Sequence, residues 1–256
     1  MLTPRFSANT GFLWKEKPFA ERLRAASDAG FDAVEFHDEA QSADLTQIRD
    51  ILAETGLSVC SLNVRMGETA GCAALPGHEN QARRDVDIAL RVAELLDVGA
   101  VHVLAGRTEA TSNRRAFIRV LKHALESSDR TILIEPISRV AMESYFLRNI
   151  DMAAEILEEV AHPRLKIMFD CFHVEMESGH AATRFARHAA QIGHVQISSV
   201  PDRTEPRVTE RLDVVALVRQ IQHAGYEGAF GCEYRPRSSV EAGLNWRAAF
   251  RKETHD

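Results

Sequence analysis

TILIEPIS, residues 131–138, carries the reading of the whole chain. Ile132, Leu133 and Ile134 make a short apolar run that reads as a buried strand, but the run ends in Glu135 followed by Pro136. A buried carboxylate without a partner is costly, so Glu135 has to face something that answers its charge.

Similar runs recur along the chain. The candidate strands are RFSAN (5–9), DAVEF (32–36), LSVCSLN (57–63), AVHVLAG (100–106), TILIE (131–135), LKIMFD (165–170), HVQISS (194–199) and AFGCE (229–233). Between them, apolar residues recur at helical spacing. In ARRDVDIALRVAELLDVG, Val86, Leu90, Ala93 and Leu96 share one face and Gly99 suits the exit; LDVVALVRQIQHAG closes on Gly225. Eight strand-like runs alternating with helices predict a (β/α)8 TIM barrel, with a doubly wound open sheet as the competitor. No Gly/Ser or proline-rich linker divides the chain, which reads as a single domain over 1–256.

Four of these runs carry oxygen at or near their ends. Side chains alternate along a strand, so Glu135 shares a face with Leu133, Asp170 with Met168, Gln196 with His194, and Glu233 with Gly231. The opposite faces hold Ile132/Ile134, Ile167/Phe169, Val195/Ile197 and Phe230/Cys232, which suit an outer helix layer. In a barrel the first set points to the axis at the C-terminal mouth, where barrel enzymes place their chemistry. Like charges converging there resist joint ionisation, and a divalent metal resolves that. Three carboxylates and an amide oxygen are hard donors that favour Mg²⁺ or Mn²⁺ over Zn²⁺. Singly, each residue has a plainer reading: Asp170 as a helix cap, Glu135 paired with an arginine, Gln196 as an interior hydrogen-bonding residue.

Composition narrows the partners. The 256 residues are 45% hydrophobic and 27% charged with a net charge of −6, and the basic residues are scattered, which argues against nucleic acid as a partner. Cys60, Cys72, Cys171 and Cys232 show neither metal-ligand spacing nor disulfide density. No secretory signal and no stretch near the ~20 apolar residues of a membrane span is evident, so a cytoplasmic location and no membrane partner are expected.

The blocks FSAN, PFAERLRAASDAGFDAVEF, GCAALPG, TILIEPIS, ESYFLRN, KIMFDCFHVE, IGHVQISSVPDRTEP and GYEGAFGCEYRP together resemble the hydroxypyruvate isomerase family of xylose isomerase-like TIM barrels, nearly end to end. The resemblance implies metal ligands at Glu135, Asp170, Gln196 and Glu233, and a catalytic acid/base pair at Glu135 and Glu233. Related ketose epimerases have a substrate-contacting histidine three residues after the aspartate and an arginine after strand seven; these match His173 and Arg203. Gln196 stands where epimerases tend to have histidine, which leans toward the isomerase branch. Departures from the family pattern are Arg207-Val208-Thr209-Glu210 after Glu205-Pro206, Ser138 in place of an asparagine, and short connections near 65–71 and 106–112. They sit where substrate would be gripped.

A small anionic sugar acid would need cations beside the carboxylates. Arg203 is the first choice, with Arg65, Arg107 and Arg235 behind it. His102 and Asn63 are expected to line the mouth and contact substrate, with core or turn roles as alternatives. His194 reads as a satisfied core histidine; Asn9 ends its strand and lines the mouth or forms a turn, and Glu35 ends the second strand at the mouth or in a local ion pair. Phe12 and Trp14 could wall the pocket or support a neighbouring subunit, and a homo-oligomer is allowed.

The expected chemistry is an intramolecular oxidoreduction of an α-hydroxycarbonyl acid by proton transfer between glutamates, hydroxypyruvate with tartronate semialdehyde or a related 2-oxo-tetronate. A hydride shift is the mechanistic rival. The other readings are a ketose 3-epimerase on the same site, a metal-dependent endonuclease, and a metabolite-binding barrel without catalysis.

Overall fold

The computed structural model describes residues 3–108 and 113–250. Strands β1 (Phe6–Asn9), β2 (Ala33–Phe36), β3 (Ser58–Asn63), β4 (Ala100–His102), β5 (Thr131–Ile134), β6 (Leu165–Asp170), β7 (Ile192–Ile197) and β8 (Phe230–Cys232) pair in parallel in chain order. β8 returns to β1, aligning Ser7 with Gly231. The sheet is a closed barrel, so the open doubly wound alternative falls.

Helices α1 (Phe19–Asp28), α2 (Leu45–Thr55), α3 (Glu79–Leu95), α4 (Arg114–Ser127), α5 (Ile150–Val160), α6 (Cys171–Ser178), α7 (Ala181–His188), α8 (Val214–His223) and the short α9 (Val240–Gly243) lie in the connections. Their starts follow local chemistry. Asp44, Asn149 and Asp213 accept backbone N–H groups in the first turns of α2, α5 and α8, each contributing about 1 kcal/mol. No helix among the described residues is long and apolar enough to cross a membrane.

Strand parity sorts the core. Ile132, Ile134, Ile167, Phe169, Val195, Ile197, Phe230 and Cys232 belong to the large apolar cluster between barrel and helices. Ala100, Leu133 and Met168 form a separate small cluster inside the barrel. With so little apolar bulk inside, the upper barrel is filled by polar side chains.

Several boundaries differ from the sequence reading. The fourth strand stops at His102, because the chain beyond it turns through Gly106 (φ +97°) and Ala105 bridges antiparallel to Gly71. The seventh begins at Ile192, ahead of His194. Glu135 and Glu233 each lie one residue past their strands. Gly99 does not end α3; Asp97 takes the left-handed turn (φ 50°), and a Cβ on Gly99 would stand 3.0 Å from the carbonyl of Cys60. Gly99 therefore serves close backbone approach, while Gly225 (φ 91°) does close the α8 segment. Residues 109–112 of the 106–112 connection lie outside the described residues.

Candidate active site

The C-terminal ends of the strands open into a cavity of about 620 Å³. Glu135, Gln196 and Glu233 line it, as do Asn63, His102 and His173. Asp170 is buried behind them and meets Arg203, which does line the cavity.

Asp170 has two tasks. Its Oδ1 accepts the Phe172 N–H at 2.8 Å, capping α6, which is the plain reading of this residue. Its Oδ2 lies 2.7 Å from Arg203 Nη2, and the same nitrogen reaches Glu233 Oε1 at 2.7 Å. Arg203 takes a left-handed backbone (φ 52°) and packs its guanidinium over the rings of Phe12 and Phe172 at 4.9 and 5.0 Å. These rings favour a cation electrostatically and limit its hydration.

One cation faces three buried carboxylates. Burial, joined by the charges of Glu233 and Asp170, holds Glu135 well above the usual carboxyl range. Burial also lifts Glu233, against the pull of Arg203, and pushes Asp170 up to about 7. Raised carboxyls of this kind are suited to proton transfer.

His173 is closer to the carboxylates than a substrate-only role requires. Its Nε2 lies 3.5 Å from Asp170 Oδ2 and 3.7 Å from Glu135 Oε1. Its Nδ1 meets the Ser138 hydroxyl at 3.2 Å, so the departure at Ser138 is a ring support. Burial and Arg203 keep His173 neutral, well below its ordinary value. His102 contacts Asn63 Oδ1 at 3.0 Å, and burial lowers it to about 3. Its Nε2 is buried without a partner.

Donor atoms of Glu135, Asp170 and His173 come within 4.8 Å of one another. Glu135 Oε1 and Gln196 Oε1 are buried with no hydrogen-bond partner. Orphaned oxygens beside an excess of buried carboxylates fit a hard divalent cation, and the histidine adds a nitrogen that the sequence reading did not count among ligands.

The remaining expectations divide. Arg235 lines the cavity; Arg65 and Arg107 do not, Arg107 instead donating to the Glu68 carbonyl. Phe12 lines the cavity, but Trp14 is buried in the outer core, its Nε1 2.7 Å from Glu241. Glu35 and His194 pair at 2.5 Å inside the barrel. The sequence reading missed His37 and Lys15, both of which line the cavity. His37 was legible in principle, since it shares the parity of Glu35 two residues on. It packs against Gly11, where a Cβ would stand 2.4 Å from its ring.

A family model described as the xylose isomerase-like TIM barrel matches residues 23–252. The chain is 37% identical to a 2-oxo-tetronate isomerase of Cupriavidus necator, covering 95% of this chain and 97% of that one. It is 31% identical to a hydroxypyruvate isomerase of Escherichia coli, covering 96% and 99%. Among solved structures, one from Brucella melitensis described as an AP endonuclease, family 2, superposes with a TM-score of 0.92 at 34% identity, covering 97% of this chain and 100% of that one.

Proposed function

Because the chain belongs to the hydroxypyruvate isomerase family of xylose isomerase-like TIM barrels, we propose that it interconverts the α-hydroxy ketone and aldehyde forms of a short 2-oxo sugar acid, hydroxypyruvate or a 2-oxo-tetronate. The observation that carries this reading is the pair of buried carboxyls, Glu135 and Glu233, both lifted above their ordinary range at the ends of β5 and β8.

The reaction moves one proton between adjacent carbons. A glutamate takes the proton from the carbon that bears the hydroxyl, leaving an enediolate; a proton is then delivered to the former carbonyl carbon, while the hydroxyl proton passes to the former carbonyl oxygen, so that the two oxygens exchange roles. Glu135 and Glu233, one residue past β5 and β8, would serve the two carbons. Glu135, Asp170, Gln196 and Glu233, with His173 within reach, would hold Mg²⁺ or Mn²⁺. Such a cation supplies Lewis-acid stabilisation of the charge that develops on the substrate oxygens. Arg203 bridges Asp170, behind the cavity wall, and Glu233, which lines the cavity, and offsets their charge. Neutral His173, held by Ser138, can hydrogen-bond a substrate hydroxyl. Arg235 and Lys15 at the rim offer positive charge to the substrate carboxylate.

An endonuclease reading suits this chain less well. Among the described residues, the group close enough to hold a metal contains a single histidine, and the net charge of −6 opposes a phosphate backbone. The direct test is turnover of hydroxypyruvate, a 2-oxo-tetronate and a neutral ketose by the purified protein with Mg²⁺ or Mn²⁺. Isomerisation of the acids is expected; turnover of the neutral ketose alone would overturn the reading.

A further inference from the structure

The wall of the candidate active site includes a carboxylate that the chemistry above does not use. Glu35 is 1% exposed and sits on β2, inside the barrel. Its Oε1 accepts from Asn9 Nδ2 at 3.0 Å and from Gln196 Nε2 at 2.8 Å, and its Oε2 lies 2.5 Å from His194 Nε2. Each of these three contacts comes from a nitrogen that can donate, so the carboxyl group faces donors on both oxygens. The carboxylate reaches this position because β8 presents Gly231 opposite, where a Cβ would stand 2.5 Å from Glu35 Oε2.

An ionised carboxylate accepts hydrogen bonds and donates none. An amide placed against it must therefore turn its NH₂ group inward and its carbonyl oxygen away. At Gln196 the inward turn leaves Oε1 buried and without a partner in the wall of the cavity, on the residue that pairs in register with Asp170. At Asn9 the same rule aims Nδ2 at both Glu35 and Glu233 Oε2, the latter at 3.1 Å, while Oδ1 accepts the Gly11 N–H at 3.0 Å. Glu35 thus holds an amide on β7 that also hydrogen-bonds Glu233 and, through Asn9, contacts that same carboxylate after β8.

We propose that Glu35 is a positioning residue whose acceptor-only carboxylate fixes Gln196 oxygen-outward and steadies Glu233, making the cavity floor an oxygen donor for a hard divalent cation. The cation itself rests on the function proposed above; the orientation of Gln196 does not. Partners that orient metal ligands typically change affinity 10–100-fold when lost. Glu35→Gln keeps the shape but adds a donor, which removes the rule that turns Gln196.

Two readouts test this on the full chain. Mn²⁺ affinity, measured by electron paramagnetic resonance, is expected to fall 10–100-fold in Glu35→Gln with the circular dichroism spectrum kept. In the metal-free protein, the Gln196 side-chain amide is expected to show NMR signals protected from water exchange in the wild type and to lose that protection in the variant. Mn²⁺ affinity within twofold of wild type, or unchanged Gln196 protection in the variant, overturns the proposal. If the wild type binds no Mn²⁺ while Glu35→Gln still frees the amide, the metal reading fails and the positioning of Gln196 stands. If Glu35→Gln does not fold, the wild-type amide decides alone: rapid exchange of its protons with water overturns the proposal, and protection supports it.

Discussion

Arg203 and Asp170, 33 residues apart in sequence, meet at 2.7 Å with both side chains buried. The same guanidinium nitrogen bridges to Glu233 at 2.7 Å. Breaking a buried charge cluster from one side leaves the other side uncompensated. Arg203→Ala is therefore expected to cost about 3–5 kcal/mol at neutral pH, with a smaller loss at acid pH where the carboxyls take up protons. Urea unfolding checks this; a loss under about 1 kcal/mol would show that the cluster is held by other means.

Glu135 and Glu233 are expected to act as a proton pair. Replacing either by glutamine keeps the shape and removes the basic oxygen, so kcat should fall by about 10²–10⁴ with the fold unchanged by circular dichroism. Turnover in D₂O should place solvent deuterium on the product carbon. Product formed without any solvent deuterium would instead favour a hydride shift between the carbons.

Arg235 lines the cavity and, among the described residues, its side chain makes no ion pair. On the proposed function, its charge is expected to meet a substrate carboxylate. Arg235→Ala should raise KM for the acid about tenfold, roughly 1.4 kcal/mol, with kcat little changed, as loss of uniform binding predicts. An equal effect on a neutral analogue would remove Arg235 from carboxylate recognition.

Asp170 gives the site a pH signature. Burial lifts its pKa to about 7, from an ordinary 3.8, despite the pull of Arg203. Over that window the folded chain keeps a proton that the unfolded chain has released. The stability contributed by this group is therefore complete below its unfolded pKa and is lost as pH rises toward about 7. In chelator-treated protein, wild type minus Asp170→Asn stability should decline between pH 4 and pH 7. A difference that rises over this range would refute the shift.

How much of this was legible depends on distance along the chain. Alternation within LKIMFD and TILIE assigns Ile167, Phe169, Ile132 and Ile134 to the outer core. It also sends Asp170 and Glu135 toward the barrel axis, because parity is fixed by the strand backbone itself. Strand ends were less legible. The stop at His102 depends on a bridge from Ala105 to Gly71, a contact with another connection. Ser138 read as a departure from a family pattern, and its place beneath the His173 ring appears when the ends of β5 and β6 are adjacent.

Two-residue periodicity and local apolar runs suffice to predict eight strands, their inward and outward faces, and four oxygen-bearing side chains near one end of the barrel. How those side chains are compensated depends on partners far away along the chain. Glu35 meets His194 and Gln196 across 159 and 161 residues, and Arg203 joins the carboxylates of β6 and β8. Such pairings exist only once the barrel has closed, because closure brings opposite strands within reach of one side chain and removes the water that would otherwise solvate their charges.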